Sequence, residues 1–417
     1  VLCLKHRIRA VLKYVCMVIL VLNCGSSSLK YQVLDMKSDS DYSLLAKGLV
    51  ERIGLEIGEI THRVEGKDKF VIDAPIPNHT EGIKSVLDLL VSPDHGVLGS
   101  LKEINAVGHR VAHGGDIFNS SKVIHSEVIE GIEKCCELAP LHNPANLLGI
   151  MAVRSLLPEV PQVAVFDTSF HQTMPEKAYM YPIPYEYYVR DKVRRYGFHG
   201  TSHKFVAEKS AKIAGIDFNN SKIITCHLGN GGSVTAVLNG ESVDTSMGFT
   251  PMEGVVMGTR CGSIDPGIIP FLESKYGMDD KAVSKVLNKE SGFLGISGVS
   301  SDARDVESAA EAGNNRAQLT LDMFRYSVLK YIGAYAAVMN GVDLIVFTGG
   351  IGENDPDTRE AVCSQLGYLG VDFDKSANDG VRGKDVVLTK PGSKVVVTTV
   401  TTNEELVIAQ ETMKLVK

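Results

Sequence analysis

Short apolar runs punctuate the chain, and each breaks into a polar or glycine-rich segment. V-I-L-V-L from Val18 leads into N-C-G-S-S-S, and I-N-A-V from Ile104 into G-H-R-V-A-H-G-G. V-A-V-F from Val163 leads into D-T-S-F-H, I-I-T-C from Ile223 into H-L-G-N-G-G-S, and L-I-V-F from Leu344 into T-G-G-I-G-E-N. Apolar runs of this length bounded by turn residues predict buried strands. In α/β proteins ligands sit beyond the carboxyl ends of such strands. Every polar cluster here falls where a ligand would be.

The first and fourth segments resemble each other further. Each continues as a second strand, S28-L-K-Y-Q-V-L-D and S233-V-T-A-V-L-N-G. A strand, a phosphate-type loop and a returning strand, occurring twice about 200 residues apart, indicate two related halves facing across a cleft. The competing account is that hairpins with Gly/Ser turns are simply common. Between these segments, Arg316–Asn340 has helical spacing of Leu321, Phe324, Val328, Ile332 and Tyr335, with Asn340-Gly341 as its stop. Glu404–Val416 is expected to be a second helix, capped by Asn403 or Thr402, with acids in its first turn. Ser300–Asn315 is expected to be a surface loop and weak helix.

At roughly 150 residues per domain, 417 residues suggest two or three domains. The boundaries expected are 1–167 plus 405–417 for one domain and 168–404 for the other. Hydrophobic residues at 44% and charged residues at 22% fit an ordinary globular chain that buries its core without disulfides or metal. The net charge of -7 argues against a nucleic-acid partner, whose footprint would be basic. It leaves anionic substrates open, because local arginines can act against the global sign. The eight cysteines form no C-x-x-C and no zinc spacing, so free thiols in a reducing cytoplasm are expected.

The N-terminus allows a second reading, as a lipoprotein signal. Lys5, His6, Arg7, Arg9 and Lys13 precede an apolar run, Tyr14–Leu22, and Cys24 is followed by Gly and Ser. The run is far short of the ~20 residues of a membrane span. Asn23 is not the small residue that should precede a cleavage site. No membrane association is expected. Met17 offers a simpler start, with residues 1–16 an upstream extension; intact mass of native protein tests this.

Asn23, Gly25, Ser26, Ser27, Ser28 and Lys30 combine backbone donors, hydroxyls and a cation, an anion nest with a point charge beside it. Gly229, Gly231 and Gly232 around Asn230 make a second such loop, with His227 at its strand end. Gly349, Gly350 and Gly352 make a third, and glycine lets backbone approach a ligand closely. P-loop, dinucleotide-fold and protein-kinase signatures are all absent. Arg110, expected just after a strand, and Arg260, between small residues, are well placed to fork a carboxylate or phosphate. For each of these, and for His199, a purely structural role competes with the functional one. Asp167 ends a strand, where a buried carboxylate is costly unless partnered or functional.

Taken together, N-C-G-S-S-S-L-K-Y, G-H-R-V-A-H-G-G, A-P-L-H-N-P, F-D-T-S-F-H, Y-G-F-H-G-T-S-H, H-L-G-N-G-G-S, M-G-T-R-C-G, F-T-G-G-I-G-E-N and T-N-E-E-L resemble the ordered signature set of the acetate kinase family. The resemblance runs in order from about Val18 to the C-terminus. It implies an α/β, actin-like (ribonuclease H-like), duplicated two-domain phosphotransferase fold with a central cleft, and a homodimer. It implies reversible transfer of the ATP γ-phosphoryl group to acetate, giving acetyl phosphate and ADP, with Mg2+ or Mn2+.

By the same resemblance, Asn23 and Glu404 match the family's metal-site residues. Lys30, the Ser26–Ser28 loop, His227, Leu228, Gly229, Asn230, Gly231, Asp302, Ala303, Arg304, Gly350, Ile351, Gly352, Glu353 and Asn354 match its nucleotide contacts. Arg110 matches the carboxylate anchor, Asp167 the catalytic acid, and His199 and Arg260 the stabilisers of the transferring group. Ala112, Leu141, Phe198 and Pro251 match the pocket for the acyl methyl. A carboxylate is already a nucleophile at neutral pH, so phosphoryl transfer here needs alignment and charge neutralisation rather than a strong base. Asp167 therefore reads as an orienter of Arg or of metal-bound water.

Three positions depart from the family. Ala112 stands where a β-branched residue is usual, leaving room for a methylene; such a difference is worth only ~1–3 kcal/mol, so propionate stays open as a substrate. Gly262-Ser263 replaces G-D after Arg260, and Ala303 replaces a bulkier residue beside the adenine. A rival of another class, a nucleotide-switched binding module, has no need for Arg110, His199 and Arg260 to converge on a small carboxylate. Closure of the cleft is expected, to keep water from the phosphoryl group.

Overall fold

The computed structural model describes residues 16–417. Except for Cys16, the expectation for residues 1–16 lies outside the described residues. The strands, in chain order, are β1 (Met17–Cys24), β2 (Ser28–Met36), β3 (Tyr42–Glu51), β4 (Gly58–Val64), β5 (Phe70–Ala74), β6 (Ile104–Val111), β7 (Lys122–Val123), β8 (Gln162–Phe166), β9 (Lys222–Leu228), β10 (Gly232–Leu238), β11 (Glu241–Thr245), β12 (Leu344–Thr348), β13 (Val386–Val387) and β14 (Val396–Thr399).

They form two sheets, ordered β5-β4-β3-β2-β1-β6-β8-β7 and β11-β10-β9-β12-β14-β13. From β3 to β7 the first order repeats the second from β11 to β13, strand for strand. The pairing directions repeat too. β1 and β9 are antiparallel to the strands that follow them, while β1, β6 and β8 run parallel, as do β9, β12 and β14. The two hairpins seen in the sequence are equivalent elements of a duplicated, actin-like fold.

The apolar runs are continuous because these strands are covered on both faces. Along β1, Ile19 and Val21 pack with Leu406, Ile408, Ala409 and Met413 of the C-terminal helix, Glu404–Val416. Leu20 and Leu22, one residue out of phase, pack with Ala152 and Val153 of the helix Asn143–Leu156. Along β9, Ile224 and Cys226 face Leu321, Phe324 and Val328 of the helix Asn315–Val338. Ile223 faces Val206 and Ala207 of the helix Gly200–Ala214. Each such side chain, once buried, contributes ~1.5–3 kcal/mol. The C-terminal helix starts where expected, with Asn403 Oδ1 accepting from Leu406 N at 3.0 Å.

Several boundaries differ from the sequence reading. Arg110 lies within a strand, not after it, where it pairs with Val165; His227 stands near the end of β9, as expected, and pairs with Thr348 and Ser233. Ladder partners on both sides keep β6 and β9 extended past their apolar runs, overriding the turn residues that follow. Gly349–Asn354 is a short helix rather than a loop. Ser300–Asn315, expected as a surface loop and weak helix, is mostly helix, Ala303–Glu311, capped by Asp302, whose side chain accepts from Arg304 N. The seven described cysteines are free thiols. No described helix is long and apolar enough to cross a membrane.

Candidate active site

The carboxyl ends of β1, β6 and β8 lie side by side and bring Asn23, Arg110 and Asp167 together. Asp167 is 1% exposed and is held by a fork: Arg110 donates from Nε to Oδ1 at 3.0 Å and Oδ2 at 3.1 Å, and from Nη2 to Oδ2 at 2.5 Å. Arg110 Nη1 lies 3.3 Å from Asn23 Oδ1. That loosely held nitrogen is the edge left to meet an incoming anion. Asp167, followed by Glu404, raises the already high Arg110 pKa against the opposing effect of burial. The loop leaving β6 is clamped by two buried asparagines. Asn146 Oδ1 accepts from Ala112 N and its Nδ2 donates to Cys24 O, while Asn143 pairs with both backbone groups of His113.

His199 sits at the start of the helix Gly200–Ala214 with φ +57°, a left-handed conformation that is uncommon for a side-chain-bearing residue and typical of functional sites. Gly200 follows for a steric reason: its N–H donates to Asp167 O at 2.8 Å, and a Cβ there would stand 2.3 Å from that oxygen. His199 stacks on His227 with ring centroids 4.3 Å apart. Burial, then His227 and His203, then Arg110 and Arg260, hold its pKa well below the ordinary histidine value. It is therefore a neutral imidazole. His227 is pushed down to about 4, mainly by burial and then by Arg110.

Asn23, Lys30, Arg110, His199, His227 and Glu404 line one cavity of about 240 Å³. Its walls come from both sheets and from the C-terminal helix. Thr402, Glu405 and Ile408 also line it; the motif T-N-E-E-L contains the first two, and Ile408 lies just beyond it. Burial and the charges of Asp167 and Glu405 push Glu404 up to about 7 against the pull of Arg110. Arg260 has no carboxylate partner among the described residues: Nη1 donates to Pro251 O at 3.0 Å, and burial lowers its pKa. A Cβ on Gly231 would lie 3.3 Å from Arg260 Nη1 and 3.7 Å from His199, so the backbone of the second glycine loop runs past both groups. His142 was not singled out in the sequence. Its pKa is lowered by burial and then by the charges of Arg110 and Arg260.

A second cavity, of about 540 Å³, is lined by Gly229, Asn230, Asp302, Ala303, Arg304, Gly350, Ile351 and Asn354, all expected from the sequence. Its size suits a nucleotide-sized ligand. Gly258, Phe293, Ser301, Glu307, Asp355 and Arg382 complete it. Gly258 lies in the motif M-G-T-R-C-G, and Ser301 and Asp355 directly adjoin expected residues; Phe293, Glu307 and Arg382 have no motif to mark them. Arg304 and its own backbone N–H hold Asp302 down to about 2.

Other expected residues do different work. Leu228 is fully buried in the core. Gly352 O accepts from the buried Arg359. Glu353 Oε1 accepts from Thr348 Oγ1, Gly349 N and Thr402 N, which ties the short helix to the crossover leading to Glu404. Ser26 is exposed and Ser28 half-buried; neither lines either of these cavities. Of the acyl-pocket group, Ala112 and Phe198 are buried, Pro251 is half-buried and Leu141 is 64% exposed. Ser263 Oγ accepts from Gly254 N at 3.2 Å and meets Tyr331 Oη at 3.0 Å. It fastens a loop where the family usually carries a carboxylate.

Residues 18–410 match the model of the Acetokinase family. An acetate kinase of Agathobacter rectalis is 58% identical over 95% of this chain and 99% of its own. The crystal structure of an acetate kinase from Porphyromonas gingivalis superposes with a TM-score of 0.93 at 48% identity, covering 96% of this chain and all of that one. A propionate kinase from Francisella tularensis superposes with a TM-score of 0.88 at 41% identity, with the same coverage.

Proposed function

The chain belongs to the acetokinase family, and from that premise we propose that it is an acetate kinase, transferring the γ-phosphoryl group of ATP reversibly to acetate to give acetyl phosphate and ADP. One observation carries this reading. A cavity holding a forked arginine, two neutral histidines and a lysine adjoins a nucleotide-sized cavity, with the glycine backbone at 229–231 running between them.

Arg110, with Asp167 behind it, would anchor and orient the acetate carboxylate by its free edge. In this role Asp167 is an orienter, and no base is needed. His199 and Arg260 would donate to the phosphoryl oxygens as charge shifts between them, where preorganised donors in a water-poor site are most effective. The backbone at Gly229–Gly231 and Gly350–Asn354 would hold the nucleotide, with Asp302–Arg304 at the base. The glycine loop that lines the nucleotide-sized cavity at Gly229 and passes Arg260 and His199 at Gly231 favours direct in-line transfer.

Among the described residues no three His, Cys, Asp or Glu side chains form a metal cage. Mg2+ does not require one, since it is commonly held by one or two protein oxygens together with substrate phosphates and water. Asn23 Oδ1 and Glu404 fit that pattern, and a dication would relieve the crowding of Glu404 by Asp167 and Glu405. When bound there, Mg2+ or Mn2+ supplies charge neutralisation for the phosphates.

The repeated strand order, and the packing of the C-terminal helix on β1, support domains of 1–167 plus 405–417 and 168–404. Leu319, Met323 and Tyr326, exposed at helical spacing, support a homodimer, which sedimentation would test. Unpaired described cysteines accord with a cytoplasmic protein.

The deciding experiment traps acyl phosphate with hydroxylamine in the presence of Mg-ATP, for acetate and propionate side by side. Acetyl hydroxamate formed at the higher kcat/KM is the expected result. Preference for propionate would implicate Ala112 and change the substrate. No hydroxamate from either, with ATP still bound, would sink the enzyme reading.

A further inference from the structure

Behind His199 runs a line of buried side chains that touch neither cavity. His199 Nδ1 lies 2.8 Å from Ser233 Oγ, Ser233 Oγ lies 2.6 Å from His203 Nε2, and His203 Nδ1 lies 2.7 Å from Thr225 Oγ1. Ser233, His203 and Thr225 are fully buried. The helix Gly200–Ala214 supplies His203, while β9 and β10 supply Thr225 and Ser233.

Counting protons fixes the direction of this line. A neutral imidazole has one N–H and one lone pair, and a hydroxyl donates once. Burial keeps both His199 and His203 neutral. Suppose His203 donates from Nδ1 to Thr225. The Thr225 hydroxyl proton then has no acceptor among the described residues, a buried donor left unmade. Suppose instead that both rings donate to Ser233. The Ser233 proton is then the one left over. Only one arrangement gives every proton within the line an acceptor: Thr225 donates to His203 Nδ1, His203 Nε2–H donates to Ser233, and Ser233 donates to His199 Nδ1. His199 must then carry its own proton on Nε2.

We propose that Thr225, His203 and Ser233 form a one-way hydrogen-bond relay that holds His199 as its Nε2–H tautomer, presenting a neutral donor to the transferring phosphoryl group. The identity of that acceptor rests on the kinase reading above; the tautomer does not. The opposite tautomer would aim a lone pair at anionic oxygens, turning a stabiliser into a repulsive group. A neutral donor stacked on neutral His227 and flanked by Arg110 and Arg260 avoids adding a third positive charge to the same small volume. Ser233 and His203 are positioning residues, acting only through His199.

The test begins with wild-type full-length protein labelled with 15N-histidine, at neutral pH, with His199 assigned by comparison with His199→Asn. Nitrogen shifts should show Nε2 protonated and Nδ1 bare; Nδ1 protonated would overturn the relay. In Ser233→Ala, His199 should become a tautomer mixture and kcat should fall by about tenfold to a hundredfold, with KM for ATP unchanged. Ser233→Thr, which keeps the hydroxyl, should recover most of the rate. Unchanged kcat and unchanged shifts in a folded Ser233→Ala would also overturn the relay. If Ser233→Ala does not fold, the wild-type spectrum still decides. Hydroxamate formation in the same wild-type sample separates the two ideas: product with Nδ1–H defeats the relay alone, and no product with Nε2–H defeats the kinase reading alone.

Discussion

The two sheets share one strand order, yet their equivalent edges are chemically unlike. In the first, the ends of β1, β6 and β8 carry Asn23, Arg110 and Asp167, side chains bonded to one another. In the second, the ends of β9, β12 and β14 carry His227, the Gly349–Asn354 helix and the crossover to Glu404, and the nucleotide-sized cavity joins Gly229, Gly258 and Gly350 with charged side chains such as Asp302, Arg304 and Arg382. The first edge provides fixed charge for a small carboxylate. On the proposed reading the second offers glycine turns and mixed charge to a larger, phosphate-bearing ligand. Duplication kept the frame, and the residues just past each strand divided the task. The arginines show the same division. Arg110 is paired with a buried carboxylate, whereas Arg260 has no acidic partner among the described residues and leans on a carbonyl.

That difference should appear most strongly in Arg110→Met. Removing one partner of a buried pair typically costs about 3–5 kcal/mol, so Tm should drop along with acetyl phosphate formation, the latter by more than about a thousandfold given the added loss of the carboxylate anchor. Denaturant unfolding and hydroxamate assays read the two effects. Arg260→Ala should lower kcat by about 10²–10³ and leave the unfolding midpoint nearly unchanged, having no charge partner to strand. A large stability loss there would erase the contrast between the two arginines.

Glu353→Ala should raise KM for ATP by about tenfold, because two buried backbone donors and a hydroxyl lose their acceptor at about 1–3 kcal/mol. Steady-state kinetics at fixed acetate checks this; a loss confined to kcat would mean that Glu353 acts at the chemistry instead. The smallest effect concerns Glu307, pushed up to about 8 by burial and by Asp355. Its folded pKa lies above its unfolded value, so its contribution to stability is complete below about 4.5 and lost as pH rises through about 8. Glu307→Gln should flatten that decline, with Tm at pH 9 rising relative to wild type by a few degrees at most, about 1 kcal/mol or less. An unchanged slope would remove the acid pair from the nucleotide side.

Much of this was legible in the chain. Continuous apolar runs mark strands covered on both faces, and the repeated strand–loop–strand unit marks the duplication, because a buried sheet demands that pattern locally. Asn23, Arg110, His199, His227 and Glu404, each flagged from a local motif, meet at one cavity. Glu307, Phe293 and Arg382 could not be read this way: they reach the nucleotide cavity from two separate helices and a late loop, and no short-range spacing connects them. Leu228 and Glu353 stood inside motifs and were taken as contacts. Their side chains point instead into the core and onto the backbone of the crossover, which a motif cannot tell.

The sequence by itself determined the alternation of buried strands with polar ends, the two-fold repeat, and which residue types stand at those ends. These follow from burial, turn geometry and local spacing, all of which act over a few residues. Only the tertiary structure decided that Arg110 would spend one edge on Asp167, that Glu353 would hold the crossover, and that three buried residues would line up behind His199. Those outcomes depend on which elements pack together and on which donors and acceptors that packing brings within reach, and both are set only once the whole chain is in place.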